Sequence, residues 1–581
     1  MKRLKHAEKG NRNKPDVIGR DSGKKGPVFS QSPKHEGVTK HGSVDASADR
    51  FLLPKRELNR LIDGHFISKG NSRQAFELFS DAARIGLDFK LAEGKEKPIV
   101  SYRTQEGIMS DLLEPIPRKG KGMSELMAEV KEKIINGAVN FSSPGFIAFP
   151  DSGNSLAAVE GHLLSGFLNQ NLINSVHTSP TATFVEIAVV NWLREIVGFD
   201  VTPNPKDTQD IGGISVPGGV SANTIGLLLA RENRFPGTMR DGVTFEPSKV
   251  NVYIARGISH YSSRAALGWL GLGTSSMVDV DTTPDFKIDQ ADLVRKVEGH
   301  VSKGGVPLAV VAYAGDSRTM AIDDFEGVSK IAKRYGMWMH VDACHGLSLC
   351  FSKKLRGMVK GIELADSITI DPHKVLFTPY SLSYVLVRDQ SRFSLVEGIS
   401  DLITKEPFSL GRLSPFLGSK PFNSLKLWML MKHLGTDNIG RLIEQRHGMA
   451  LYFASLLAQE QEFYVMNKVM INNVAYLYVP RELKDSLAGP EKEKAIGLIN
   501  KLNGNVHRRI FEEGRYYVHT FKLNDFMGIF GVGSEPVFQM QRVSIGNPLT
   551  TKEVLRDFVG YLRGVCQEEY RKLTDKGVEP G

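Results

Sequence analysis

Short, uninterrupted apolar runs alternate with helical periodicities through the middle of the chain. Val306-Pro307-Leu308-Ala309-Val310-Val311-Ala312 is too short to span a bilayer and suits a strand buried on both faces of a parallel sheet. Met337-Trp338-Met339-His340-Val341 and Ser367-Ile368-Thr369-Ile370 predict two more strands, each running into polar residues. Such alternation from about Pro150 to Arg388 predicts a large α/β domain. Ahead of it, Leu58, Leu61 and Ile62, then Phe76 and Phe79, recur at helical spacing, so 51–91 reads as at least two helices broken around Gly64 to Gly70. Ser124 to Val130 opens another amphipathic helix, with Gly137 as its stop. Beyond Asp389 the pattern predicts a smaller α/β part, with a long helix around Leu425–Leu434 and a last strand over Phe538–Ile545. The expected organisation is a tail over 1–50, a helical segment over 51–149, a large domain over 150–388 and a small one over 389–581.

Composition narrows the class. With 581 residues, 41% of them hydrophobic, the chain can bury a large core. Met1-Lys2-Arg3-Leu4-Lys5-His6 leads into no apolar stretch, which argues against a secretory signal. Three cysteines, Cys344, Cys350 and Cys566, point to a reducing compartment without a disulfide framework, so a cytoplasmic enzyme with no membrane span is expected. The net charge of +9 suggests nucleic acid, but residues 1–50 hold twelve Lys and Arg against six Asp and Glu, and the remainder nearly balances. That segment reads as a disordered basic tail, and no nucleic-acid partner is expected.

The densest chemistry lies in His340-Val341-Asp342-Ala343-Cys344-His345-Gly346 and Asp371-Pro372-His373-Lys374. Ligands of parallel sheets bind at the carboxyl ends of strands, where both motifs fall. A carboxylate for a pyridinium nitrogen and a lysine for an imine are what pyridoxal 5'-phosphate (PLP) requires. Alternation along the strand puts His340, Asp342 and Cys344 on one face, which resembles a metal cluster. Metal sites rarely draw three ligands from one flat strand and need a differently placed fourth, so no metal is expected.

His340 to Ala343, Ala365-Asp366-Ser367 and Pro372-His373-Lys374, with Lys374 32 positions after Asp342, resemble the group II PLP-dependent amino-acid decarboxylases. That group includes the aromatic, tyrosine and glutamate decarboxylases. The similarity runs from about Ser143 to about Pro548. It implies the PLP-dependent transferase fold (type I): a large domain with a mainly parallel seven-stranded sheet flanked by helices, plus a small C-terminal α/β domain. It also implies a homodimer with the active site at the subunit interface.

By this resemblance Lys374 forms the imine, Asp342 pairs with the ring nitrogen and His260 stacks on the ring. Pro217-Gly218-Gly219-Val220-Ser221-Ala222-Asn223, before a helix expected over Thr224–Arg231, would bind phosphate through Gly219, Val220 and Ser221, with His373 as a second contact. Cys344 would lie near the cofactor, and Asp371, an acid that would repel phosphate, is expected to face elsewhere. Substrate would meet Phe149, Ser152, His345 and Lys420, although Phe149 could equally pack in the core and His345 could be a polar strand end. Gly418-Ser419-Lys420-Pro421 resembles the Gly-Ser-Arg-Pro of sphingosine-phosphate lyases, with lysine for a bidentate arginine.

The expected reaction is decarboxylation of an L-amino acid to the amine and carbon dioxide. Two alternatives have sequence support. Asp371, Cys344 and Gly-Ser-Lys-Pro favour a carbon–carbon (aldehyde) lyase. The stretch Ser394 to Phe408, where aromatic decarboxylases carry a proton-donating tyrosine, contains none, which favours a decarboxylating aldehyde synthase. A non-catalytic binding protein on the same fold is opposed by intact Lys374, Asp342 and His373.

Overall fold

A computed structural model of the protein describes residues 51–92, 98–257, 261–398, 406–533 and 536–575. The basic tail over 1–50 lies outside the described residues. Contacts divide the chain at Glu77/Leu78. The first unit carries helix α1 (Lys55–His65), which buries none of its residues. A short turn at Lys69–Asn71 follows, closed by reciprocal bonds between Ser68 and Asn71. Helix α2 (Ser72–Lys90) starts in this unit and continues into the second.

From Leu78 onward the chain forms one unit, within which the boundary expected at 389 falls. Its larger sheet has strands β1 (Gly213–Val216), β2 (Val250–Ala255), β3 (Met277–Val280), β4 (Val306–Tyr313), β5 (Trp338–Asp342), β6 (Ser367–Ile370) and β7 (Ser383–Val387). Their order is β1-β7-β6-β5-β4-β2-β3. Only β7 opposes its neighbours, and the remaining pairs are parallel. β2, β5, β6 and β7 are buried along their whole length, as their unbroken apolar runs require when helices cover both faces.

Sequence signals set where these strands end. Helix α4 (Phe325–Tyr335) begins at Asp324, whose carboxylate accepts the Gly327 N–H, and stops at Gly336, at φ 64°. Phe325, Val328, Ile331 and Ala332 form its buried stripe. The left-handed glycine reverses the chain straight into β5, so a glycine stop fixes where Asp342 emerges. Helix α3 (Gly219–Arg234) starts earlier than expected from the sequence, so the glycine segment lies inside its first turn. Every residue from Ala222 to Glu232 is buried. It passes so close to β5 that a Cβ on Gly226 would lie 2.5 Å from the His340 ring.

A second, wholly antiparallel sheet has strands β8 (Phe463–Val465), β9 (Asn473–Tyr478), β10 (His519–Asn524) and β11 (Val537–Ser544), in the order β10-β11-β9-β8. Leu502, Val506, Phe558 and Leu562, on helices after β9 and β11, pack on Val474 and Val543 as a separate core. Helix α5 (Ser424–Ala458) is longer than expected and breaks at Gly435, whose φ of 73° is not helical. Among the described residues no helix is long and apolar enough to cross a membrane.

Candidate active site

Three chain segments converge at the carboxyl ends of the parallel strands. β5 delivers Asp342, in register with Tyr313 at the end of β4. β6 ends at Ile370, and Pro372–Val375 then makes a single helical turn bearing His373 and Lys374. The N-terminus of α3 supplies the third wall. Together they line a cavity of about 310 Å³.

Asp342 is held from behind by a directed series of hydrogen bonds. Trp338 Nε1–H donates to Ser367 Oγ at 2.8 Å, and Ser367 Oγ lies 2.7 Å from His340 Nδ1. His340 Nε2 lies 2.9 Å from Asn223 Oδ1, and Asn223 Nδ2 donates to Asp342 Oδ2 at 2.8 Å. The amide oxygen of Asn223 can only accept, so Nε2 carries the imidazole proton and Nδ1 accepts from Ser367. Burial agrees, pulling His340 down to about 4 and keeping it neutral. The Cys344 N–H donates to Asp342 Oδ1 at 3.2 Å. Asn223 and Cys344 thus each bring a donor to an Asp342 oxygen. The buried Cys344 thiol lines the same cavity and is pushed well above its ordinary range by burial and then by Asp342.

Lys374 meets an aspartate that the sequence reading turned away. Asp371 lines the cavity, and its Oδ2 lies 2.8 Å from Lys374 Nζ. Ser383 Oγ donates to its other oxygen at 2.5 Å. Asp371 therefore faces inward, because three residues along a helical turn place it beside Lys374. Burial alone would neutralise both groups. The ion pair overrides it, holding Asp371 well below and Lys374 well above their usual ranges. A Cβ on Gly219 would lie 2.8 Å from Asp371 Oδ2, so this close approach depends on glycine.

The remaining expected residues are distributed as follows. Gly219 and Val220 line the cavity, and Ser221 sits half-buried beside them in the first turn. His373 lines it too, with Nδ1 2.8 Å from the Leu382 carbonyl oxygen. His260 lies outside the described residues, while Tyr261 and Ser262, which follow it, line the cavity. His345 is at the wall, its Nδ1 2.9 Å from the Gly315 carbonyl oxygen, and burial followed by the Lys374 charge pulls it down to about 3.

Three expected substrate contacts are committed to other partners. Phe149 packs 4.8 Å from the His519 ring, under the Arg542 guanidinium at 5.2 Å. Ser152 is buried and donates to Asn154 Oδ1. Lys420 is buried in an ion pair with Glu186 at 3.0 Å and donates to the Ser215 carbonyl oxygen at 2.6 Å. Sequence reasoning placed Asn223 only at the end of the phosphate segment, whereas one helical turn beyond Gly219 it reaches Asp342. It also passed over Tyr380, which lines the cavity from a loop without periodicity.

The donor set suits one kind of cofactor. A primary amine, a carboxylate backed by hydrogen-bond donors and the start of a 16-residue helix whose cap, Gly218, makes no side-chain hydrogen bond face one cavity. These match the aldehyde, ring nitrogen and phosphate of PLP. Among the described residues no group of three or more His, Cys, Asp or Glu side chains is arranged to hold a metal. The fold and site thus define a PLP-dependent enzyme of the fold type I class.

Comparison with known proteins narrows this further. The pyridoxal-dependent decarboxylase conserved domain matches residues 107–479, and the chain belongs to that family. It is 25% identical over 483 residues to an aromatic-L-amino-acid decarboxylase of Bacillus atrophaeus, covering 82% of this chain and 92% of the relative. It is 26% identical over 499 residues to a phenylacetaldehyde synthase of Petunia hybrida, covering 82% and 94%. A crystal structure of mouse CSAD in apo form superposes with a TM-score of 0.76 at 22% identity, covering 85% of this chain and 99% of that one. The Oryza sativa TDC structure with PLP and tryptamine gives 0.75 at 22%, covering 86% and 99%. The protein is a PLP-dependent carboxy-lyase of the amino-acid decarboxylase family.

Proposed function

We propose that the protein converts an L-amino acid to its amine and carbon dioxide, with Lys374 as the residue that holds the cofactor. The carrying observation is the meeting of Lys374, Asp342 and the start of α3 in one cavity. PLP supplies an aldehyde that captures amines and a ring that accepts the electrons left when a carboxylate departs. Asp342, oriented by hydrogen bonds from Asn223 and Cys344, would hold a proton at the ring nitrogen. Asp371 holds Lys374 Nζ in place as an ammonium, and the amine must give up that proton before it can attack a carbonyl. Gly219, Val220 and Ser221 present backbone donors and a hydroxyl to the phosphate, with His373 as a second contact. His345, Tyr313 and Ser317 form the wall a substrate side chain would meet.

We further propose a homodimer. Leu163, Leu164, Phe167 and Leu168, on the helix Leu156–Leu168, expose 44–53% of their surface, an apolar face that association would cover.

The deciding experiment adds PLP to purified protein, records its near-visible absorbance and follows headspace carbon dioxide from a panel of L-amino acids. A band absent from Lys374→Ala, with carbon dioxide from one amino acid, supports the reading. Absence of any band from the parental protein would refute it. The second reading, a decarboxylating aldehyde synthase, is favoured by the lack of tyrosine between Ser394 and Phe408 and by the petunia relative. Aldehyde, ammonia and peroxide in place of the amine would establish it.

A further inference from the structure

Loss of carbon dioxide leaves an electron pair on the substrate carbon, and forming an amine requires an acid to protonate it. Of the groups already described at the cavity, Asp342 serves the ring nitrogen and Lys374 Nζ is paired with Asp371 at 2.8 Å. The neutral His345 is a poor donor.

Tyr380 is one of three hydroxyl-bearing rings at the wall, with Tyr261 and Tyr313. It is 52% exposed toward the open side, and its ring centroid lies 4.9 Å from that of His373. The segment carrying it is held at the backbone: Lys426 Nζ donates to the carbonyl oxygens of Pro379, Tyr380 and Ser381 at 3.4, 3.2 and 3.3 Å. The Tyr380 hydroxyl shares a hydrogen bond with Asp151, a side chain only 5% exposed. Asp151 Oδ1 has no hydrogen-bond partner among the described residues. A buried carboxylate missing such a partner is costly as an anion, and burial does push Asp151 up.

We propose that Tyr380 donates the proton taken up by the substrate carbon when carbon dioxide leaves, and that Asp151 replenishes it. The bond to the carboxylate breaks with its electron pair staying on carbon. The phenolic O–H bond breaks as the new C–H bond forms. The phenolate then recovers a proton from the Asp151 carboxyl, and Asp151 recovers one from water. Net consumption is one proton per carbon dioxide released, as decarboxylation to an amine requires. Charges facing Asp151 are Lys374 and His373, which favour its anion, Asp371, which opposes it, and Arg542.

The assignment rests on the decarboxylase reading and is tested with Tyr380→Phe and Asp151→Asn in the full-length enzyme. In Tyr380→Phe, amine formation should fall about 100-fold or more, the scale of a lost general acid. PLP affinity by absorbance titration should stay at the parental value. A second readout needs no turnover: in cofactor-free protein labelled with [13Cζ]tyrosine, the resonance missing from Tyr380→Phe should titrate well above the ordinary phenol in the parent and lower in Asp151→Asn. Parental amine yield from Tyr380→Phe, or an Asp151→Asn spectrum with that resonance unmoved, would overturn the assignment. A parental enzyme releasing no carbon dioxide would overturn the decarboxylase reading, and this assignment with it.

Discussion

Lys420 separates a structural from a catalytic reading most cleanly. Both charged groups of the Lys420–Glu186 pair are at most 2% exposed. Glu186 also accepts from the Ser215 N–H at 3.0 Å, from Ser215 Oγ at 2.8 Å and from Ser424 Oγ at 2.8 Å. Lys420→Met removes the cation and leaves this carboxylate buried against neutral donors alone. Breaking one partner of a buried pair costs about 3–5 kcal/mol. The unfolding entropy of about 2.1 cal/mol/K per residue, over roughly 500 residues, gives about 1 kcal/mol per degree, so the melting temperature should fall by about 3–5 °C. Replacing both partners, in Lys420→Met with Glu186→Met, should recover most of that loss, because removing both charges leaves neither one buried alone. The assay is thermal unfolding of parent, single and double variants, with KM for the amino acid measured alongside. An unchanged melting temperature with KM raised about tenfold, or 1.4 kcal/mol of binding, would refute the reasoning and make Lys420 a substrate contact.

Other outcomes follow from the geometry. His340, pulled down to about 4 from an ordinary 6.5, favours the folded state fully above pH 6.5 and loses that contribution as pH falls toward 4. That loss is on the order of 3 kcal/mol, and denaturation across that range should be less steeply pH-dependent in His340→Gln, with equal slopes contradicting the burial argument. Gly226→Ala drives a methyl into the His340 ring and should cost about 1–3 kcal/mol. PLP affinity should weaken as Asn223 shifts, which absorbance titration detects. Asp371→Asn removes the carboxylate that keeps Lys374 protonated, and stopped-flow absorbance at pH 8 should show PLP capture about tenfold faster for each unit by which the amine falls.

How much of this was visible in the sequence depended on how locally each feature is determined. β5 and β6 were legible because unbroken apolar runs admit few alternatives, and Asp342 and Lys374 because polar residues close those runs. Asp371 was misjudged by weighing it against a phosphate, when Lys374, three residues on, is the nearer charge. The fate of Lys420 could not be read locally, because Glu186 lies 234 residues earlier in the chain. Phe149 likewise finds His519 and Arg542 only through the second sheet. α5 outran its expected end because Gly435 kinks the helix without terminating it.

The hydrogen bonds behind Asp342 begin at an indole. Trp338 is one of four tryptophans, and its N–H is the first donor of a series in which every later group has a single allowed orientation. Such a file cannot relax one link at a time, so a change of charge at Asp342 is felt by Ser367 and then by the indole. The enzyme thus contains its own fluorophore wired to its cofactor site, and the emission of Trp338 becomes an optical gauge of whether that site is loaded.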